Sequence, residues 1–186
     1  MVYVFEGSRN SGKTYLSNHI SRKFNIPRFQ FDFVNGFNLL GLESKYNREA
    51  HTFCMGKELM IMQLSKDLQK SIPDFIHDRG ILTVLSWGLL EKRISEKEAI
   101  DQIKYVKDKN LLDNCIIVNI EGDNPDKSRI KDQWDDSDNK IERECLDFII
   151  SKFKESGIHK IHGFVNKFNP ESISNIESLF ENILFY

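Results

Sequence analysis

Eight consecutive residues near the start of the chain carry the types and spacing that hold a phosphate. In "FEGSRNSGKTYLS", Gly7 is followed after four residues by Gly12, Lys13 and Thr14. Glycines at these two places let the backbone bend and approach oxygen atoms closely. Successive N–H groups then point at one spot, where the positive end of a helix dipole adds to them. Gly7, Ser8, Arg9, Asn10, Ser11, Gly12, Lys13 and Thr14 are therefore the candidate phosphate-binding residues. In that pattern Lys13 reaches the β- and γ-phosphates of a nucleoside triphosphate, and the Thr14 hydroxyl is placed to ligate Mg²⁺.

A second constellation is "FIHDRG", an apolar run that leads to Asp78 and Arg79. A carboxylate at a strand end beside a phosphate loop is placed to hold a water on Mg²⁺, and an arginine there offers a planar fork of donors to a phosphate. The same pair also reads as a helix cap with its surface partner. A third is Asp32 in "FQFDF", at the end of a second strand. It is a general base if the acceptor is a hydroxyl, and an orienting or capping acid if it is not. Phosphoryl transfer also needs positive charge on a segment that closes over the reacting groups. In the polar stretch 122–140 that segment would offer Lys127, Arg129, Lys131 and Lys140, with Arg129 the first candidate; a solvated charged loop is the other reading.

These residues need a scaffold, and the apolar spacing supplies one. Val2 to Phe5 and "CIIVNI" at 115–120 are short apolar runs of the sort buried in a parallel sheet. Phe29, Phe31 and Phe33 alternate as a second strand, "DFIHD" forms a third and "HKIHGFV" a fifth. Helical spacing runs from Lys13, from Glu49 to Lys70, from Gly80 to Lys92, from Ile141 to Lys154 and from Pro170 to Leu184. Ser95 and Glu98 form a capping box ahead of a further helix. Strands that alternate with helices predict an α/β fold, a parallel sheet covered on both faces, over a single domain of residues 1–186. Trp87 and Trp134 are expected as core and lid anchors, Arg48 at a helix start on the surface, and the five histidines in structural roles.

The phosphate loop with its Glu6-Gly7 pair resembles the opening of thymidylate kinases and of related deoxynucleoside and nucleoside-monophosphate kinases. "FIHDRG" resembles their Asp-Arg motif, whose arginine serves the acceptor, and "CIIVNIEGDNPDKSRIKDQWD" resembles their fourth strand and basic lid. The resemblance implies the three-layer P-loop NTPase fold, about five parallel strands with a lid at 122–140, and the use of ATP and Mg²⁺. It implies that Lys13, Arg79, Asp32 and Arg129 form the catalytic set, with Thr14 and Asp78 at the metal. Two places depart from the family: Arg9 stands where thymidylate kinases usually carry an acid, and the lid holds few arginines.

The expected activity is transfer of a phosphoryl group to a (deoxy)nucleoside monophosphate. The alternative is a nucleoside kinase or a polynucleotide 5′-hydroxyl kinase that uses Asp32 as base. A GTPase fits poorly, because "NKFN" at 166–169 lacks the aspartate of the guanine-reading motif and no Asp-x-x-Gly follows the third strand. A nucleotide-binding regulator without turnover is the remaining class. The formal net charge of -2 disfavours long nucleic acid as a partner and points to a small-molecule nucleotide or nucleoside; a homodimer is compatible with it. No apolar run approaches a membrane span, and three scattered cysteines indicate neither zinc nor a disulfide framework, so a cytoplasmic setting is expected.

Overall fold

The computed structural model describes residues 1–30, 47–68, 71–122 and 136–185. Five strands, β1 (Val2–Glu6), β2 (Arg28–Gln30), β3 (Phe75–Asp78), β4 (Cys115–Gly122) and β5 (Ile161–Asn166), form one sheet in the order β2-β3-β1-β4-β5. All four strand pairings are parallel. The described helices are α1 (Lys13–Phe24), α2 (Arg48–Asp67), α3 (Ile81–Leu90), α4 (Glu96–Asp108), α5 (Asp136–Glu155) and α6 (Pro170–Phe185).

The central strand shows why the sheet is covered on both sides. All five of its residues are buried. Val2 and Val4 face a core shared with α2, α3, α4 and α5, whereas Tyr3 and Phe5 face a second core with α1 and α6. The side-chain period of two in a strand makes this split unavoidable. β4 divides the same way, with Cys115 and Ile117 on the first side and Val118 and Ile120 on the second. Phe180 of α6 closes the second core, its ring centroid 4.8 Å from that of Tyr3 and 5.5 Å from that of Phe24.

Local signals set several element ends. The Ser95–Glu98 capping box forms as expected, with Ser95 N–H donating to Glu98 Oε2 at 2.9 Å. Asn47 caps α2 by accepting from the backbone N–H groups of Glu49 and Ala50. The N-terminus of α3 is capped from another strand. Glu6, fully buried at the end of β1, accepts from Leu82 N–H at 2.8 Å, Thr83 N–H at 3.2 Å and the Thr83 hydroxyl. Burial holds the Glu6 carboxyl above the usual range, and the Thr83 hydroxyl draws it back.

Two expectations on boundaries are corrected. The polar stretch 122–140 is regular at both ends. Gly122 belongs to β4, because Glu121 and Gly122 continue the ladder opposite Val165 and Asn166 after the apolar run has ended. The helix expected from Ile141 begins at Asp136, ahead of its apolar spacing. Residues 123–135, Arg129 and Trp134 included, lie outside the described residues, as do Asp32, Phe31 and Phe33. Phe29 of β2 is 46% exposed and stacks on His77, 5.7 Å between centroids.

Candidate functional site

The phosphate loop leaves the carboxyl end of β1 and enters α1, as its sequence requires. Gly7 has φ 140° and Gly12 has φ 83°. Both positions are closed to a side chain. A Cβ on Gly7 would lie 2.2 Å from the Ile120 carbonyl oxygen, and one on Gly12 would lie 2.3 Å from Asn166 Nδ2. Lys13 is 3% exposed, and its ammonium donates to the Ser8 carbonyl at 2.8 Å, across the mouth of the loop. Burial and the neighbouring Arg79 push the Lys13 pKa down to about 7, against the pull of Glu142, Asp78 and Glu6. Thr14, at the outer end, is exposed.

The turn from β5 to α6 braces this loop from outside. Asn166 Nδ2 donates to the Ser11 carbonyl at 3.0 Å, while its Oδ1 accepts from Phe168 N–H at 3.0 Å. Gly122, at the end of β4, presses on the same place: a Cβ there would meet Ser11 Cα at 2.9 Å. The "NKFN" stretch thus holds the phosphate loop in shape through its first asparagine.

Asp78 ends β3 level with Phe5, and Arg79 N–H donates to the Phe5 carbonyl at 3.0 Å. Arg79 takes a left-handed backbone, φ 71°, which swings its side chain out of the strand direction. That is a strained conformation for a residue of its size and is held by the strand on one side and the Glu6-capped helix on the other. Asp78 is fully buried; its Oδ2 is bound by Arg28, whose Nε also donates to Ser17 Oγ at 2.8 Å. Arg28 was not singled out from the sequence, since an arginine at the start of a strand carries no signal of its own.

Around these groups lie three buried polar atoms without a hydrogen-bond partner: Ser11 Oγ, Asp78 Oδ1 and Arg79 Nη1. A native interior rarely leaves such atoms unsatisfied, because each costs about 1–3 kcal/mol. Their chemistry fits a bound phosphate and cation. Arg79 Nη1 is a donor for a phosphate oxygen, and Asp78 Oδ1 an acceptor for a metal-bound water. The residues present therefore fit Mg²⁺ with a nucleotide, an ion that Thr14 and Asp78 would hold.

Trp87, read from the sequence as a core anchor, and Glu142, which carries no sequence signal of its own, adjoin the same groups. Trp87 carries the guanidinium carbons of Arg79 and Arg9 at 4.8 Å and 5.1 Å from its ring centroid. Glu142 of α5, 3% exposed, accepts from Trp87 Nε1 at 3.0 Å and from Arg9 N–H at 3.2 Å. Arg143 beside it donates to the Gly122 carbonyl at 3.3 Å, whereas Lys140 pairs on the surface with Glu144 at 3.9 Å.

Arg48 is a surface residue paired with Glu98, as expected. His19, His51 and His77 contact Glu177, Gln102 and Glu58, and no group of three His, Cys, Asp or Glu residues is placed to hold a metal among the described residues. A cleft of about 530 Å³ lies between α2 and α4, lined by His51, Met55, Leu59, Gln102 and Tyr105, and shares no residue with the phosphate loop. Among the described residues no helix is long and apolar enough to cross a membrane.

No family model matches the chain, and no curated protein does. Solved structures match it end to end. Thymidylate kinase from Ehrlichia chaffeensis superposes with a TM-score of 0.64 at 16% identity, over 99% of this chain and 98% of that one. The YorR protein of Bacillus subtilis, solved with phosphorylated GDP, gives 0.61 at 16% identity, over 100% and 99%. Deoxyadenosine kinase from M. mycoides, solved with dATP, gives 0.57 at 15% identity, over 98% and 99%. With the sheet order and the loop geometry above, these likenesses establish that the chain has the fold of the P-loop nucleotide kinases.

Proposed function

We propose that this chain transfers the γ-phosphoryl group of ATP to a (deoxy)nucleoside monophosphate, in the manner of a thymidylate kinase. The observation that carries the reading is the convergence of Lys13, Asp78 and Arg79 at the carboxyl ends of β1 and β3, with Asp78 Oδ1 and Arg79 Nη1 buried and unsatisfied. The loop from Gly7 to Thr14 holds the β- and γ-phosphates, and Lys13 follows the charge as it moves toward the bridging oxygen. Thr14 and Asp78 would hold Mg²⁺, which would supply positive charge to the phosphate oxygens. Arg79 orients the acceptor phosphate. One of its oxygens forms the new bond to the γ-phosphorus as the bond to the ADP oxygen breaks. That oxygen is already ionised near neutral pH, so no base is required; Asp32 orients the acceptor and Arg129 adds charge to the closing segment.

The likeness to a deoxyadenosine kinase supports a second reading, in which a hydroxyl is the acceptor and Asp32 takes its proton. A panel separates the two and tests the whole: ATP or GTP with deoxynucleoside monophosphates, nucleosides and 5′-hydroxyl oligonucleotides. Transfer to monophosphates that Lys13→Ala abolishes is the expected result. Undiminished turnover in Lys13→Ala, or no transfer to any acceptor, refutes a kinase.

A further inference from the structure

The arrangement around Trp87 goes beyond what phosphoryl transfer by itself demands. Burial pushes the Lys13 and Arg79 pKa values down, and three carboxylates, Asp78, Glu142 and Glu6, draw them back up. Asp78 is bound by Arg28, and Glu6 is taken up by the N-terminus of α3. Both firm hydrogen bonds of Glu142, from Trp87 Nε1 and Arg9 N–H, fall on Oε1. Oε2 accepts none, and Arg9 Nε stands 3.8 Å from it, within ion-pair range but too far for a hydrogen bond. One oxygen is therefore anchored and the other is loosely held against a guanidinium. Glu142 accepts from a phosphate-loop N–H, as a phosphate oxygen would, and so occupies a place that a phosphate can claim.

We propose that Trp87 and Glu142 are positioning residues: Trp87 is the shelf that aims Arg9 and Arg79 at a substrate phosphate, and Glu142 is an internal counter-anion that takes its place until it binds. The ligand class is a phosphate monoester. That it is the acceptor's phosphate rests on the kinase reading; that the site prefers a dianion to Glu142 does not. The geometry explains why Arg9 stands where an acid is usual in thymidylate kinases. The guanidinium carbon lies over the indole, 5.1 Å from its centroid, and the residue's own N–H is tied to the anion it would exchange.

The test uses the full chain with Trp134→Phe, which leaves Trp87 as its single tryptophan, and inorganic phosphate as probe. Calorimetry measures binding, with chloride at equal ionic strength as control, and Trp87 emission is followed in parallel. Phosphate is expected to bind and to change Trp87 emission with the same midpoint. Glu142→Gln keeps an acceptor for Trp87 Nε1 and Arg9 N–H but removes the charge, so phosphate affinity should rise about three- to tenfold. Trp87→Leu should weaken phosphate binding about tenfold, with Trp87→Phe in between, because a benzene ring still receives a guanidinium. Circular dichroism establishes that each variant is folded. Unchanged or weaker phosphate binding in folded Glu142→Gln overturns the proposal. So does Trp87 emission that stays constant while calorimetry shows saturation, a result that does not depend on the Glu142 variant folding. If phosphate binds as expected and no acceptor is phosphorylated, the kinase reading fails and this inference stands.

Discussion

Lys13 gives the sharpest quantitative consequence of the site. Burial, with Arg79 adding to it, brings the ammonium pKa down to about 7, while its hydrogen bond to the Ser8 carbonyl is available in either protonation state. A phosphate bound in the loop places negative oxygens against it and returns the proton. Nucleotide binding must then take up protons, roughly 0.5 per site at pH 7 and roughly 0.9 at pH 8, the neutral fraction of a group that titrates near 7. Only the ammonium form binds tightly, so affinity should fall about tenfold, or about 1.4 kcal/mol, between pH 8 and pH 9. Stability of the free protein runs the other way. Between the folded pKa of about 7 and the ordinary lysine value of 10.5, the unfolded chain binds a proton at Lys13 that the folded chain does not. This residue's contribution to stability therefore rises with pH across that window. Titration calorimetry with ADP at pH 8, in Tris and in HEPES, reads the uptake from the difference in observed enthalpy. ADP's own phosphates are ionised at that pH, and Lys13→Ala serves as reference. Flat affinity from pH 8 to 9, or the same proton uptake in Lys13→Ala, refutes the reasoning.

Three other outcomes are expected. Arg79→Lys should cut kcat/KM for the acceptor about ten- to a hundredfold in steady-state assays, because a point charge cannot replace a planar fork and the buried Nη1 position goes unfilled; wild-type kinetics would remove Arg79 from the site. Asp32→Asn should raise the acceptor KM more than it lowers kcat; a fall in kcat of about a hundredfold or more at unchanged KM would make Asp32 a base and the acceptor a hydroxyl. Gly7→Ala should cost about 2 kcal/mol or more in urea unfolding, since φ 140° is strained for alanine and its Cβ would strike the Ile120 carbonyl of β4 at 2.2 Å; an unchanged midpoint would mean that the loop is not held as described.

Much of this protein is legible without a structure, and for one reason. Phosphate loops, buried strands and capping boxes are local devices, whose residues are close in sequence because they act within a few ångströms of one backbone segment. Gly7 to Thr14, the alternation in β1, "CIIVNI" and the Ser95–Glu98 box are all of this kind, and the structure forms each of them. The strand ends were less legible. Glu121 and Gly122 extend β4 because Val165 and Asn166 lie opposite them, and no property of the two residues announces that partner.

The sequence by itself determined the fold class, the phosphate loop and the Asp78-Arg79 pair, since each is written in a run of neighbours. Tertiary structure alone decided the surroundings of those residues. Glu6 caps a helix 76 positions away, Asn166 braces Ser11 across 155, and Glu142 reaches Arg9 across 133. Arg28 binds Asp78 because β2 lies next to β3 in the sheet, not next to it in the chain. Trp87 looks like any core indole in a row of apolar residues; it becomes a shelf for two arginines only where α3, α5 and the phosphate loop meet. A hydrogen bond or a cation on a ring is decided by distance in space, and a single sequence carries no record of that distance between residues so far apart.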